Sequence, residues 1–368
     1  MKRILAILLA LAMVFTLAAC GAKKEDTAAK AQKFYVLGPT PDHGWTAQAG
    51  AYAQQKCEEI TKAGKYEAVF MPAKSGDEQC DICNTVIANG DAALVVIQAL
   101  DDSAKAGVDA LIEAGIPFIE FDRFIMEDMD KAVLNYSGNN YDCGAGIAYW
   151  LQKNGLEPGA TLVELMGDNG SVCVYRQQGF EEFLLGKREY SDNFTGEKYS
   201  TAKVWTEDEV KALFQYQTVC NWSADGAVSY LEPKLDEIVA AAKANNGKLF
   251  IFSEDDEMTF GVMTVLEGAS EATLADLENL EVYISAIGGM QELYDVMLGK
   301  ADKSAVASKY FDDMMSVSFN PSMMKSAIDY AVKYLDGDWS FAMGAEATEP
   351  VFIVDANNAA QFEGFTGH

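Results

Sequence analysis

Positive charge is scarce in this sequence. It contains 28 lysines and arginines against 56 aspartates and glutamates, which gives a net charge of −28. A surface of this sign repels the phosphate backbone of nucleic acids. Nucleic acid is therefore not an expected partner, and the acidity indicates solubility without specifying a ligand.

Histidine is rarer still, since His43 and His368 are the only two. Two histidines make a histidine-based catalytic triad an unfavoured interpretation. The sequence also has no Gly-x-Ser-x-Gly elbow, phosphate-binding loop or His-Glu-x-x-His motif. Asp255 and Asp256 are adjacent, so they cannot face each other across a glycosidic bond. The chain is not expected to be an enzyme, and no cofactor or metal is predicted.

Long apolar runs are confined to the start of the sequence. Ile4–Leu17 follows a short basic segment, is too short for a comfortable transmembrane helix, and leads into Leu-Ala-Ala-Cys-Gly at 17–21. Small residues before a cysteine are typical of lipoprotein signal peptides, so we predict a signal peptide at 1–19 and lipidation of Cys20. A plain signal peptide with an incidental cysteine is the alternative. Residues 20–33 are predicted to form a flexible tether, so that the exported body is lipid-anchored at the outer face of the cytoplasmic membrane or in the periplasm.

Six cysteines remain once Cys20 is assigned to the lipid: Cys57, Cys80, Cys83, Cys143, Cys173 and Cys220. An exported chain permits disulfides. Cys80-x-x-Cys83 has the spacing of a redox or metal pair, but no second pair at zinc-site spacing follows it. A free or locally bridged pair on a helix is favoured, Cys57 is another candidate partner, and the pairing stays open.

Short β-rich runs alternate with helical segments along the rest of the chain. Phe34–Leu37 and Ala93–Ile97 are continuously apolar, as expected for strands buried on both faces. The segment from Thr46 to Ala63 has apolar residues at helical spacing. This strand–helix repetition predicts an α/β fold with doubly wound, Rossmann-like parallel sheets in two lobes.

A second set of the same kind begins after Val133–Tyr136. It includes a weaker predicted strand at Lys203–Trp205, a helix over Ser223–Ala244, and a polar insert at 187–198 that is predicted to be a surface loop.

Ligands of open parallel sheets bind beyond the carboxyl ends of the strands. In this chain the residues that follow the predicted strands are polar and aromatic: Asp42-His43-Gly44-Trp45, Gln98, Asp122-Arg123, Asp168-Asn169 and Glu254-Asp255-Asp256. We expect such residues from both lobes to converge on one gap.

These motifs resemble, over nearly the whole mature chain, those of the type I periplasmic sugar-binding proteins, the group that includes ribose- and galactose-binding proteins. The strongest match is 119–123, Ile-Glu-Phe-Asp-Arg, which is similar to the family's strand ending in Asp-Arg. The resemblance implies that Asp122 and Arg123 hold sugar hydroxyls, because a carboxylate accepts from adjacent hydroxyls and a guanidinium donates in a fixed fork. A structural salt bridge at a strand end is the alternative.

Two further segments carry the resemblance. Arg-Gln-Gln-Gly-Phe at 176–180 is similar to the family's Arg-x-x-Gly-Phe, in which the arginine reaches the ligand; for Arg176 a surface position is the alternative. In the family, the loop after the first strand supplies a polar residue and aromatics. The resemblance implies that Asp42 hydrogen-bonds the ligand, that His43 donates to a hydroxyl or caps the loop, and that Trp45 stacks on a sugar face or packs in the core.

The segment Phe252–Met258 resembles the family's Asn-Asp-x-Met, whose first polar residue binds sugar. By position that residue is Asp255, and Asp256 is expected to cap the helix. The run of acids lacks the glycine and alternating oxygen ligands of a calcium loop. Gln98 lies where the family often has asparagine, and Trp222 lies near an aromatic that closes the second sugar face, with core packing as the alternative.

The sequence departs from the family at two places. Ile287-Gly288-Gly289 stands where an aspartate is common, and Phe319-Asn320 stands where a hinge-adjacent glutamine is common. The identity of the ligand therefore stays open, and its shape is allowed to differ from that of ribose or galactose. The resemblance implies a periplasmic binding protein type I fold with a three-segment hinge near Ser137–Asn140, Phe319–Pro321 and Glu346–Pro350. The lobes are expected at 34–137 plus 320–346 and at 138–319 plus 347–368.

The expected function is capture of a monosaccharide or sugar-like small molecule by hinge closure, and its delivery by a monomer to an ABC permease in the membrane. A receptor of the same fold that partners a sensor kinase or chemoreceptor is one alternative, and a nucleoside-binding lipoprotein is another. A sugar-responsive repressor would need a basic DNA-binding head where this chain has its lipidation motif.

Overall fold

A computed structural model describes residues 31–41 and 44–366. The predictions made for the signal peptide, Cys20, Asp42 and His43 lie outside the described residues.

The strands form where the sequence is apolar on successive residues. Phe34, Val36 and Leu37 in the first strand are fully buried, and so are both faces of the strand Thr161–Met166. Burial on both faces is what helices on either side of a parallel sheet impose. The strands in chain order are Gln32–Pro39 (β1), Tyr66–Ala73 (β2), Ala92–Ile97 (β3), Phe118–Phe121 (β4), Leu134–Gly138 (β5), Thr161–Met166 (β6), Tyr190–Ser191 (β7), Lys198–Tyr199 (β8), Tyr216–Val219 (β9), Lys248–Ser253 (β10), Glu281–Gly288 (β11), Asp313–Ser318 (β12), Glu346–Glu349 (β13) and Ile353–Asp355 (β14).

Helices connect successive strands and cover the sheets. They are Gly44–Ala63 (α1), Gly76–Asn89 (α2), Lys105–Glu113 (α3), Asn140–Lys153 (α4), Ser171–Leu184 (α5), Glu207–Leu213 (α6), Ala224–Leu231 (α7), Leu235–Ala244 (α8), Asp256–Gly268 (α9), Glu271–Leu277 (α10), Gln291–Met297 (α11), Ser304–Tyr310 (α12) and Met323–Asp336 (α13). Short 3₁₀ turns lie at Asp102–Ala104, Met129–Lys131 and Ala359–Gln361.

Twelve of the described strands form two six-stranded sheets with corresponding strand orders. The first has the order β13-β5-β4-β3-β1-β2 and the second β14-β12-β11-β10-β6-β9. Neighbouring strands are parallel throughout, except that β14 runs antiparallel to β12. The prediction of two doubly wound α/β lobes is thereby confirmed.

The chain crosses between the sheets three times. It leaves the first sheet after β5, returns between β12 and α13, and crosses again between β13 and β14. Helix α13 belongs to the first lobe because it packs on α1 and β3. Residues 347–349 pair in parallel with β5 in the first sheet, whereas the predicted lobe boundary assigned them to the second lobe.

Three local predictions differ from the structure. Lys203–Trp205 is not a strand; the edge of the second sheet is taken by β9, which pairs with β6. The predicted helix over Ser223–Ala244 is two helices, α7 and α8, broken around Pro233, whose missing N–H cannot continue the helical ladder. The insert at 187–198 was predicted to be a loop, and it contributes the β7–β8 hairpin.

No helix within the described part of the chain is long and apolar enough to span a bilayer.

Candidate functional site

A cavity of about 380 Å³ opens between the carboxyl ends of the two sheets. Ligand sites for small molecules generally start at about 300 Å³, so the volume suits a compact ligand. Seven of the nine predicted binding residues line it: Trp45, Gln98, Asp122, Arg123, Arg176, Trp222 and Asp255. The other two, Asp42 and His43, lie outside the described residues, although the neighbouring Gly44 lines the cavity.

Asp122 is aimed into the cavity by an unusual backbone conformation at the end of β4. Its φ is 63°, a left-handed value that aspartate and asparagine tolerate better than most residues. Its N–H donates to the carbonyl of Tyr136 at 2.8 Å, and Gln98 Nε2 donates to its Oδ2 at 3.1 Å. Burial raises the pKa of Asp122 above its ordinary value, although the guanidinium groups of Arg176 and Arg123 oppose this shift. The side chain is therefore a poorly solvated acceptor that ligand hydroxyls would satisfy.

Arg176 is fixed from three sides. Its side chain is only 3% exposed, which excludes the surface alternative. Nε donates to Asn140 Oδ1 at 3.0 Å, and Nη1 donates to the carbonyl of Glu254 at 2.6 Å. Its Cζ lies 4.9 Å from the ring centroid of Phe319 and 5.5 Å from that of Trp222. This pre-ordered guanidinium brings a positive charge from the second lobe to the cavity.

Two tryptophans line the cavity, and the N–H groups of both are already used. Trp45 Nε1 donates to the carbonyl of Phe319 at 2.6 Å, and its ring stacks on Phe121 with a centroid distance of 6.3 Å and an interplanar angle of 18°. Trp222 Nε1 donates to Asp168 Oδ2 at 2.7 Å. Trp45 therefore both lines the cavity and packs in the core. A site with an aromatic ring from each lobe suits a ligand with apolar C–H faces.

The predicted roles of the two adjacent aspartates need a correction. Asp256 does not cap helix α9; Asp255 does, because its backbone is extended (φ −149°, ψ 147°) and its carboxylate accepts from the Glu257 N–H at 2.7 Å. Asp255 also lines the cavity. Burial raises the pKa of Asp255 well above its ordinary value, and the charges of Asp256 and Glu257 add to this shift.

Asp256 instead organises the loop after β11, where the family's aspartate is missing. Its Oδ2 accepts from the N–H groups of Gly289 and Met290, both at 2.7 Å, and its Oδ1 accepts from Ser316 Oγ at 2.7 Å. Burial raises the pKa of Asp256 to about 6, against the opposing effect of these hydrogen bonds. The loop therefore presents Gly288 to the cavity as a wall without a side chain.

Gln98 contributes an unused acceptor. The residue is 3% exposed, and among the described residues its Oε1 has no hydrogen-bond partner. A buried acceptor without a partner is costly, so a ligand hydroxyl or an ordered water is expected there.

Four residues that shape the site were not among the predicted binding residues. Lys74, Asp101 and Phe319 line the cavity, and Asp168 holds two lining side chains from behind. The position of Asp168 was indicated by the sequence, since it follows β6 at the carboxyl edge of the second sheet. Lys74 and Asp101 lie one to four residues beyond their strands, and only the folded loops bring them to the cavity.

All six cysteines in the described residues are free. Cys80 and Cys83 lie on α2, and the Cys80 thiol donates to the carbonyl of Ser103 at 3.2 Å. All of these cysteines except Cys80 are buried. Burial raises the pKa of Cys57 to about 12 and that of Cys220 to about 11. Thiols of this kind are unreactive at neutral pH. Over the described ranges, no group of three or more histidine, cysteine and acidic side chains is arranged to hold a metal ion.

Comparison with known proteins gives one family and many related structures. The sequence profile of the family described as "Periplasmic binding protein domain" matches residues 34–338. The periplasmic component of the arabinose ABC transporter from Shewanella sp. ANA-3, bound to L-arabinofuranose, is 16% identical with a TM-score of 0.63, covering 89% of this chain and 93% of its own. A solute-binding protein from Bacillus halodurans C-125 with bound myo-inositol is 16% identical with a TM-score of 0.62, covering 91% and 98%.

A carbohydrate transporter solute-binding protein from Chloroflexus aurantiacus in complex with D-glucose is also 16% identical, with a TM-score of 0.62, covering 89% of this chain and 93% of its own. At these identities the similarity shows a shared fold, and function rests on the site itself.

Proposed function

The chain belongs to the periplasmic binding protein domain family, and we propose that it captures a monosaccharide or a sugar-like polyol between its lobes and delivers it to the permease of an ABC transporter. Family membership indicates a binding protein and not an enzyme. The related structures contain L-arabinofuranose, myo-inositol and D-glucose, which supports a small polyhydroxylated ligand.

The observation that carries the proposal is the composition of the cavity. Asp122 and Asp255 are among the acids that line it, together with the guanidinium groups of Arg123 and Arg176 and the rings of two tryptophans. Adjacent hydroxyls of a polyol donate to carboxylates and accept from arginines, while the C–H face of a ring stacks on an aromatic. The acids and arginines come from both lobes, so a bound ligand favours the closed arrangement over an open one.

The proposed hinge consists of the three crossings near Ser137–Asn140, Phe319–Pro321 and Glu346–Pro350. It separates a lobe of 34–137 plus 320–346 from a lobe of 138–319 plus 347–368, except that the pairing of 347–349 with β5 assigns these three residues to the first lobe. The protein acts as a monomer in this proposal, which light scattering of the purified chain checks.

Export and anchoring form part of the proposal. The motif at 17–21 supports cleavage before Cys20 and attachment of lipid to its thiol, which would hold the exported body at the membrane that contains the permease. Palmitate labelling in a bacterial host tests this point. A Cys20→Ala chain that still takes up the label would contradict it.

Calorimetric titration of the mature chain tests ligand capture. The panel is L-arabinose, D-galactose, D-glucose, myo-inositol and adenosine, and we expect micromolar or tighter binding of at least one polyol. Asp122→Asn is the sharpest variant because asparagine also tolerates the left-handed backbone while it lacks the charge. We expect it to weaken binding at least tenfold.

The matched control is Asp81→Asn, the same change at an exposed position on α2, which should leave affinity unchanged. Binding of adenosine alone would redirect the proposal to nucleosides. Equal affinity of the wild type and Asp122→Asn would remove the site assignment.

A further inference from the structure

One carboxylate lies behind the cavity and contacts lining residues from both lobes. Asp168 follows β6 in the second lobe and does not itself line the cavity. Its Oδ2 forms an ion pair with Nη2 of Arg123, which follows β4 in the first lobe. The same oxygen accepts from Trp222 Nε1 at 2.7 Å. A single side chain therefore joins a donor of one lobe to an aromatic wall of the other.

The Asp168 carboxylate is itself held in place. Its Oδ1 accepts from the Gly170 N–H at 2.7 Å, and its own N–H donates to Cys173 Sγ at 3.3 Å. The Arg123 and Asp168 side chains are only 13% and 23% exposed. Ion pairs that are shielded and ordered in this way are stronger than ordinary surface pairs.

The Trp222 ring needs this support. Its backbone has a positive φ of 55°, and it follows Asn221, which also has a positive φ. The ring lies so close to Gly167 that a Cβ there would come within 2.1 Å of it. The indole is thus packed against bare backbone, and its N–H bond to Asp168 fixes the ring's rotation about that contact.

We propose that Asp168 is a positioning residue that couples the two lobes: its carboxylate orients Arg123 and Trp222 toward the ligand and favours the closed arrangement. The inference rests on the proposed function for its effect on ligand affinity. It also makes a claim that does not depend on a ligand, because Arg123 and Asp168 contact each other directly.

Two variants separate the two contacts. Asp168→Ala removes both, whereas Asp168→Asn keeps an acceptor for Trp222 and removes the charge that pairs with Arg123. The control is Ser171→Ala, which removes a different interlobe bond, the one that the Phe124 N–H donates to Ser171 Oγ at 2.8 Å. That bond involves neither the Arg123 guanidinium nor the Trp222 indole.

Small-angle scattering of the ligand-free proteins gives the first result. We expect a larger radius of gyration for Asp168→Ala and Asp168→Asn than for the wild type. This difference should shrink in 0.5 M NaCl, because salt screens the ion pair and lets the wild type open. The indole N–H signal of Trp222, assigned with Trp222→Phe, should keep its wild-type position in Asp168→Asn and move in Asp168→Ala. Unchanged scattering and an unmoved indole signal in Asp168→Ala would overturn the inference.

Stopped-flow dissociation of whichever polyol binds the wild type gives the second result. We expect dissociation about tenfold faster in Asp168→Ala, a smaller increase in Asp168→Asn, and a change of less than about threefold in Ser171→Ala. Equal rates in Asp168→Ala and Ser171→Ala would overturn the role in ligand binding. If no polyol binds the wild type, the proposed function fails, and the scattering and indole measurements still decide the coupling of the lobes.

Discussion

Glu120 in the middle of the first sheet should make the stability of the protein depend on pH. It lies on β4, is 1% exposed, and its Oε1 accepts from the Ile125 N–H at 3.1 Å. Among the described residues its Oε2 has no partner. Burial raises the pKa of Glu120 from 4.5 to about 8; the bond from Ile125 opposes the shift, and the charge of Asp128 adds to it.

The sign follows from which state holds the proton. Between pH 4.5 and about 8 the folded protein keeps Glu120 protonated while the unfolded chain has lost the proton, so the free energy of unfolding falls as the pH rises through this window. At about 1.36 kcal/mol per pKa unit the full shift corresponds to roughly 5 kcal/mol, of which roughly 3 to 4 kcal/mol falls between pH 5 and pH 8. Glu120→Gln replaces the acid by a neutral group of the same shape and should remove that loss.

Urea unfolding at pH 5 and pH 8 measures the effect. The Glu120→Gln variant should match the wild type near pH 5 and exceed its free energy of unfolding at pH 8. Other buried acids titrate in both proteins, so the difference between them isolates this group. Glu113→Gln, the same change at an exposed position at the end of α3, should keep the wild-type pH dependence. A Glu120→Gln variant that loses as much stability as the wild type between the two pH values would refute the reasoning.

Three further substitutions test the packing around the cavity. Gly144→Ala would place a Cβ within 1.8 Å of the Arg176 carbonyl oxygen, so we expect a loss of about 3 kcal/mol or more in urea unfolding, and an unaffected protein would contradict the close approach of α4 and α5. Gly167→Ala would meet the Trp222 ring and should weaken polyol affinity about tenfold in calorimetry, because the ring must move; wild-type affinity would argue against a wall at this position. Asp256→Ala leaves the buried N–H groups of Gly289 and Met290 without their acceptor and should cost about 2 kcal/mol in thermal unfolding, whereas an unchanged melting temperature would show that the loop does not depend on this carboxylate.

The sequence was most informative where a strand is apolar and ends in a polar residue. The run before Asp122 predicted both the strand and the side chain at its carboxyl end, because buried parallel strands and their ligand-facing ends follow from one pattern. Strand β12 was not predicted, since its sequence Asp-Met-Met-Ser-Val-Ser alternates and lacks a continuous apolar run. Strand β9 is short and partly polar because it lies at a sheet edge, so it carried little signal.

The errors within the site have a different cause. Asp255 and Asp256 are the same residue type at consecutive positions, and only the backbone dihedral angles decide which one caps the helix and which one turns toward the loop after β11. The contact between Arg123 and Asp168 depends on how the lobes approach each other. No local pattern in either segment encodes that approach.

The charges around the cavity are arranged in a crossed pattern between the lobes. Asp122 of the first lobe lies near Arg176 of the second, whose charge lowers the pKa of Asp122 against the larger effect of burial. Arg123 of the first lobe pairs with Asp168 of the second. In both pairs an acid of one lobe meets a base of the other, so approach of the lobes brings opposite charges together. In the proposed function a neutral polyol bound beside Asp122 and Arg176 adds no charge to these pairs.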